Sequence, residues 1–348
     1  MIRRQRGRWV ALALALVWLQ VPSLKATEET RPEDWAEFDS AATPLAENVS
    51  FLAADITDGR CEPVHDLNAD RTAAIGSSFK LFILGELGHQ IRRGSFRSNL
   101  PEDPRLGPWE HPVAIEARYK SVPHGDLLFV PDGTVFTVRY LAEQMIQRSD
   151  NTATDHLLHL LGPSNVERQM AEMGHHDPSL NVPLFSTREL AVIKLLYTDA
   201  ELQTYLDAPT HERRRILRHE TRGYEELRDL PTPTVPVRID TVEYFADRFD
   251  MCRALLALYE LGQDPRLRPV VEILTLEDQI GIDRERFPYV GFKGGSELGV
   301  LAGNWLLERD DGRRFTLTVA FNDTEQALDL GAVVPVLQAA VDLIYETP

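Results

Sequence analysis

The chain has 348 residues, 43% apolar and 26% charged, a composition that supports a folded core and excludes wholesale disorder or a polytopic membrane protein. Acidic residues outnumber basic ones by 54 to 37, which excludes nucleic acid as the expected partner, because neutralising phosphates needs a basic face. The length suits a two-lobed enzyme with a sizeable core.

Residues 1–26 read as a secretory signal peptide: Arg3, Arg4, Arg6 and Arg8 precede an apolar run over 10–19 and small residues before Ala26. The alternative is an uncleaved N-terminal anchor. Cleavage leaves 54 acids against 32 bases. The expectation is an exported, acidic, soluble protein in the periplasm or outside the cell, with no stable membrane anchor. Its two cysteines, Cys61 and Cys252, either pair in that oxidising compartment or stay as buried thiols.

A polar helix is expected over 31–47, then a strand over 49–56, the Asp58-Gly59 turn and a second strand over 61–65. Helices follow at 79–91, 138–146, 154–161 and 166–173. The stretch 198–242 holds the prolines Pro231, Pro233 and Pro236, which interrupt any helix, and reads as an excursion with one short helix of its own. A helix over 242–261 precedes strands at 289–293, 300–308 and 314–321, the last two joined by Asp310-Asp311-Gly312. The closing helix spans 336–344, with Pro335 confined to its first turn. This order gives an α/β (α+β) fold: an antiparallel sheet of about five strands flanked by helices, plus an all-helical lobe. The sheet lobe comes from 30–75 and 286–348, and the helical lobe from 77–285 with its insertion near 198–242. Residues 27–348 form one domain, and a cleft between the lobes is a natural place for a site.

Three short motifs carry chemistry. In Gly76-Ser77-Ser78-Phe79-Lys80, the serine meets the positive end of a helix and Lys80 shares its face one turn on. A buried lysine there can lose its proton and act as a base, although a capping serine before a surface lysine has the same spacing. Ser149-Asp150-Asn151 fills the break between two helices, where all three residue types also serve as caps. Lys293-Gly294-Gly295-Ser296 ends a strand of the sheet, where glycines mark either a tight turn or a close backbone approach by substrate.

In this order the three motifs resemble those of the penicillin-recognising serine hydrolases, and among them the class A β-lactamases. The resemblance spans about residues 30–348 and is poor over 175–285. It implies acyl transfer without a cofactor or metal: Ser77 attacks a carbonyl, Lys80 takes its proton, and the Ser77 and Ser296 amides hold the oxyanion. Ser149 would protonate the leaving group, Asn151 would orient lysine and substrate, and Lys293 would draw an anionic substrate group. Gly295 would let substrate lie along the strand. The implied partner is a small molecule, a β-lactam or related ester or amide, and the implied state is a monomer.

Two departures stand out. The family's third motif usually has a hydroxyl residue where this chain has Gly294. Class A enzymes also carry a water-activating glutamate in an Ω-loop, and no residue after Met173 matches it. One alignment runs 175–181 straight into the next helix at 183–190. Another places that helix at 245–261, lets 198–242 line the site, and offers Glu220, Glu225 or Glu226 as stand-ins. An esterase, a D-alanyl-D-alanine peptidase and a slowly deacylating penicillin-binding sensor are the competing readings. His156 with His159, and His175-His176-Asp177, are the ligand-like clusters, but neither has the spacing of a zinc-protease helix.

Overall fold

The computed structural model describes residues 32–348, apart from 102, 229, 276 and 277; the expected signal peptide lies outside the described residues. Helix α1 (Trp35–Ala42) leads into strands β1 (Asn48–Asp55), β2 (Glu62–Leu67) and β3 (Ala73–Ala74). A 3₁₀ turn, Gly76–Phe79, opens α2 (Lys80–Arg93), and the pair β4 (Pro112–Ala114) and β5 (Val135–Thr137) precedes α3 (Val138–Gln147). Next come α4 (Asn151–Leu161), α5 (Pro163–Glu172), α6 (Thr187–Leu196), α7 (Asp199–Asp207), α8 (Thr210–His219) and α9 (Tyr224–Leu227). The chain continues through β6 (Phe245–Ala246), α10 (Arg248–Leu261), α11 (Pro269–Ile273), β7 (Tyr289–Glu297), β8 (Val300–Glu308), β9 (Arg314–Asn322) and α12 (Leu330–Glu346).

The main sheet has five antiparallel strands in the order β2-β1-β9-β8-β7, so the first and last parts of the chain share one sheet as expected. Side chains alternate across it. Phe51, Trp305, Leu317 and Phe321 pack with Leu337 and Ile344 of α12. Leu52, Ala302 and Ala320 face the other way, onto Leu81, Phe82 and Leu255 of α2 and α10. With both faces covered, β8 is buried along almost its whole length. Burying two such faces is the main stabilisation, at roughly 25 cal/mol for each Å² of apolar surface removed from water.

Helix α2 runs through the middle of the molecule and is buried from Lys80 to Gly88. It ends at Gly94, whose φ of 66° is the left-handed conformation of a helix C-terminus. The disulfide alternative is realised: Cys61 bonds to Cys252, with the Cα atoms 6.3 Å apart, tying the first hairpin to α10.

Several expectations are corrected. The excursion holds three helices rather than one, because Thr198 with Glu201 forms a capping box for α7 and Pro209 stands just before α8. Helix α10 begins at Arg248 rather than at 242, since Asp247 caps it and Phe245–Ala246 pairs with Ala73–Ala74. Helix α12 begins at Leu330, which places Pro335 in the second turn; the start is capped by Asp329, which accepts the Gly331 N–H. The excursion packs around a small core of its own, including Val192, Ile193, Tyr205 and Leu217.

Candidate active site

The site begins where β7 meets the turn that carries Ser77. Gly76 has φ 47°, and a Cβ on it would stand 3.1 Å from the Ser296 amide nitrogen. On the strand side, a Cβ on Gly295 would lie 2.0 Å from the Ile75 carbonyl oxygen and 2.6 Å from the Ser77 nitrogen. Only glycine at both places lets the two backbones close up, and this brings the Ser77 and Ser296 amides to one spot. Asn304, opposite Lys293 on β8, pins the junction by donating to Ser78 Oγ at 2.8 Å and to the Lys293 carbonyl at 2.9 Å.

Beneath this turn lies a two-lysine network. Lys80 is fully buried, and its three N–H donors go to the Ser149 carbonyl (2.7 Å), Ser149 Oγ (3.1 Å) and Asn151 Oδ1 (2.8 Å). Lys293 donates to the same Ser149 Oγ at 3.2 Å and to the Gly294 carbonyl at 2.5 Å. With both lone pairs of that hydroxyl taken by ammonium N–H groups, its own proton is free to be given away. Ser149 itself sits at φ 53°, a left-handed conformation costly for a non-glycine residue, and one that tends to persist where the surroundings overdetermine it.

Electrostatics follow from burial. Desolvation lowers the Lys80 ammonium to about 7, against the pull of Asp150 and then Asp155. Burial also holds Lys293 well below the ordinary lysine range, and the neighbouring Lys80 adds to the effect. His124 is pushed down to about 4 by burial, then by Lys80 and Lys293, and is neutral at neutral pH.

The remaining motif residue is structural. Asp150 is buried and caps α4, accepting from the Ala153 and Leu127 amides at 2.8 and 3.1 Å. Asn151 Nδ2 donates to the Val122 carbonyl at 3.0 Å, which holds the 122–124 segment, including His124, over the site. Gly294 has a packing reason: a Cβ there would meet the Phe292 ring at 2.8 Å, and that ring leans on Trp305 with centroids 4.9 Å apart.

Seven motif residues are thus brought together: Ser77, Lys80, Ser149, Asn151, Lys293, Gly295 and Ser296. Other residues at the site carried no sequence signal. Asp155 accepts the Thr187 and Arg188 amides at 2.7 and 3.0 Å, anchoring α6 beside Asn151. Tyr244 stacks on Phe79 with centroids 3.6 Å apart.

The three glutamates offered as stand-ins are engaged elsewhere. Glu220 binds Arg222 and the Tyr197 hydroxyl, Glu226 accepts the Gly223 amide, and Glu225 pairs with Arg228. The carboxylates that line the cavity at Ser77 are instead Glu243 and Glu297, both paired with Lys194 of α6. Helix α10 follows the β3–β6 pairing beside the Ser77 turn, and from the stretch 198–242 Pro233, Val235 and Val237 reach the cavity lining.

Of the ligand-like clusters, His175 and His176 face Asp250 rather than Asp177. His176 Nδ1 lies 2.7 Å from Asp250 Oδ2, and His175 Nε2 lies 2.8 Å from the Phe245 carbonyl. The group braces the start of α10, away from the lysine network. His156 and His159 do not converge on a ligand position: His156 Nδ1 contacts the Thr152 carbonyl at 2.7 Å, and His159 stacks on Tyr119.

Residues 36–208 match the family model described as the Beta-lactamase enzyme family. No curated protein matches the chain in sequence. Among solved structures, the fold is similar to a β-lactamase from Sphaerobacter thermophilus, at TM-score 0.58 and 19% identity over 90% of this chain and 99% of that one. A β-lactamase from Desulfarculus baarsii is similar at TM-score 0.58 and 18% identity, over 88% of this chain and 94% of that one. A variant of PBP-A, solved as an acyl-enzyme complex with penicillin G, is similar at TM-score 0.57 and 12% identity, over 89% and 94% of the two chains. With the three motifs gathered at one junction, the chain is β-lactamase-like, matching the family model over residues 36–208 and sharing the fold of solved β-lactamases.

Proposed function

We propose that the protein is an exported serine hydrolase that opens β-lactams through an acyl-enzyme on Ser77. The observation that carries this reading is the hydrogen-bonded network of the buried Lys80, Ser149, Asn151 and Lys293 directly beside the Ser77 turn, with Ser77, Asn151 and Ser296 lining one cavity. Lys80, neutral in part near pH 7, takes the Ser77 proton as Oγ bonds to the lactam carbonyl carbon. The Ser77 and Ser296 amides hold the oxyanion. As the C–N bond breaks, Ser149 gives its proton to the ring nitrogen and regains one from Lys80, so the proton taken from Ser77 ends on the leaving group. Lys293 draws the substrate carboxylate.

Hydrolysis of the acyl-enzyme is the slow step in this proposal. The acceptors around Lys80 Nζ are Ser149 and Asn151, none of them a carboxylate that could share its proton. The cavity carboxylates Glu243 and Glu297 are tied to Lys194. This favours a long-lived adduct over rapid turnover.

Intact-mass spectrometry of the mature protein mixed with penicillin G, followed from seconds to hours, tests both points. One adduct per chain is expected, absent in Ser77→Ala and persisting for minutes or longer. Rapid loss with free product would mean a working lactamase with another water-activating group. An adduct retained in Ser77→Ala would overturn the assignment.

A further inference from the structure

We infer that His175, His176, Asp247 and Asp250 form a binding site for a divalent transition-metal ion of the zinc type, which clasps the two ends of the stretch that carries α6 and the excursion. The paired histidines follow α5 and the two aspartates open α10, so residues 177–246 lie between them along the chain. The site is separate from the acyl-transfer residues, and none of its four members has a part in that chemistry.

The donor atoms converge. His176 Nδ1 lies 2.7 Å from Asp250 Oδ2 and 3.1 Å from Asp247 Oδ2, and His175 Nδ1 lies 3.4 Å from the same Asp250 oxygen. One ligand atom from each of His175, His176 and Asp250 lies within 4.8 Å of the others. A tetrahedral zinc ion with bonds of about 2.0 to 2.2 Å needs its ligand atoms roughly 3.3 to 3.6 Å apart. The closest pair therefore has to open by less than about 1 Å. His175 and Asp250 are buried, while His176 is exposed and gives an ion its way in.

The surrounding hydrogen bonds already orient these groups as a metal site orients its ligands. His175 Nε2 lies 2.8 Å from the Phe245 carbonyl, which can only accept, so this nitrogen carries the proton. Neutral His175 then turns the lone pair of Nδ1 toward Asp250. The donor to that lone pair is the Asp177 amide at 3.2 Å, the long end of the hydrogen-bond range. Asp250 Oδ1 takes the His176 amide at 2.7 Å and Arg253 at 2.6 Å, which leaves Oδ2, with the Asp247 amide at 3.0 Å, facing the imidazoles. His176 Nδ1 brings at most one proton to two carboxylate oxygens, whereas a cation serves both. Arg253 offsets one carboxylate, and Arg248 sends its guanidinium to the Val319 and Ala246 carbonyls instead.

The donor types choose the ion. Magnesium and calcium take oxygen ligands, and two imidazoles with two carboxylates suit zinc, cobalt, nickel or copper. Its place gives its purpose. Phe245–Ala246, just before the aspartates, pairs with Ala73–Ala74 ahead of the Ser77 turn. Helices α6 to α9 pack around a core of their own. An ion that joins both ends of this stretch limits its opening, as a clip that closes a long loop does.

The test is zinc binding to the untagged mature protein, stripped with EDTA and dialysed, followed by isothermal titration calorimetry at neutral pH. One zinc per chain with a Kd in the micromolar range or below is expected, together with tetrahedral d–d absorption for cobalt and no comparable binding of magnesium or calcium. His176→Gln and Asp247→Asn should each weaken zinc binding at least about tenfold. Zinc should raise the melting temperature of the wild type and not that of His176→Gln. His176 is exposed and asparagine can replace aspartate as a helix cap, so both variants are expected to fold, as circular dichroism would check. No zinc binding up to about 0.1 mM overturns the inference. Zinc bound with equal strength by the wild type and both variants is an adventitious ion only, and overturns it too.

Discussion

The two walls of the cavity are built on opposite principles. The proposed catalytic wall is polar, buried and over-determined: Lys80, Ser149, Asn151 and Lys293, of which Asn151 reaches the cavity lining, are joined by hydrogen bonds of 2.7 to 3.2 Å. Each member also sits on an element of the main cores, on α2, at the head of α4, or on β7. The facing wall is apolar and comes from Leu190 and Leu195 of α6, Val235 and Val237 of the excursion, and Leu298 and Leu330, and the excursion packs with α6 around a separate, small core. The first wall can perform one kind of chemistry, and small displacements would ruin it. The second sets shape and polarity, and it can change without touching the reacting atoms. That division lets one mechanism serve different substrates.

Removing the base breaks this comparison most directly. Lys80→Ala is expected to slow acylation of Ser77 by roughly 10²- to 10⁴-fold. The wild type supplies the matching pH test. The base form of Lys80 is the deprotonated one, and burial lowers it to about 7. Acylation should therefore rise with pH through about 7 and level off above it. A flat single-turnover profile from pH 5.5 to 8.5 would show that the catalytic wall does not work through Lys80.

A smaller effect is expected at the junction between the walls. Gly295→Ala forces a methyl group into the Ile75 carbonyl and the Ser77 amide, which pushes the two proposed oxyanion donors apart. Losing one such donor is worth roughly 10²- to 10³-fold. The acylation rate should fall by about that factor while the fold, followed by circular dichroism, is kept. An unchanged rate would mean that β7 can back away without cost, and that the close approach has no chemical purpose.

The smallest effect sharpens the contrast without altering any residue. Hydrogen exchange followed by mass spectrometry should find the amides of α7, α8 and α9 exchanging at least about tenfold faster than those of α2 and α4. Segments with few buried apolar contacts open at lower free energy. Equal protection in both regions would show that the excursion is as firmly held as the catalytic wall.

Legibility in the sequence followed locality. The hairpin turn 58–59, the strands at 300–308 and 314–321, and the helices at 79–91, 138–146 and 154–161 announce themselves through short-range periodicity and turn residues, and the structure has them close to those bounds. The proposed site residues could be picked out because Ser-x-x-Lys and Ser-Asp-Asn each sit at a helix start, where spacing alone fixes which side chains share a face. The excursion was not, because its prolines and charges obscure three short helices that depend on a separate core. Lys194, Glu243 and Glu297 were equally silent, since 49 and 54 residues separate them in order along the chain and nothing local marks their meeting.

By itself the sequence determined most of the elements and the sheet built from both ends of the chain, and it suggested the proposed chemistry, since propensity, alternation and motif spacing act over a few residues. Tertiary structure alone decided the rest. It joined Cys61 to Cys252 across 191 residues. It set Gly295 against the Ser77 turn so that the Ser77 and Ser296 backbones meet closely. It spent the cavity's acidic groups on Lys194 and turned an unreadable stretch into an apolar wall. These outcomes depend on burial and on contacts between distant segments, which exist only once the cores have packed.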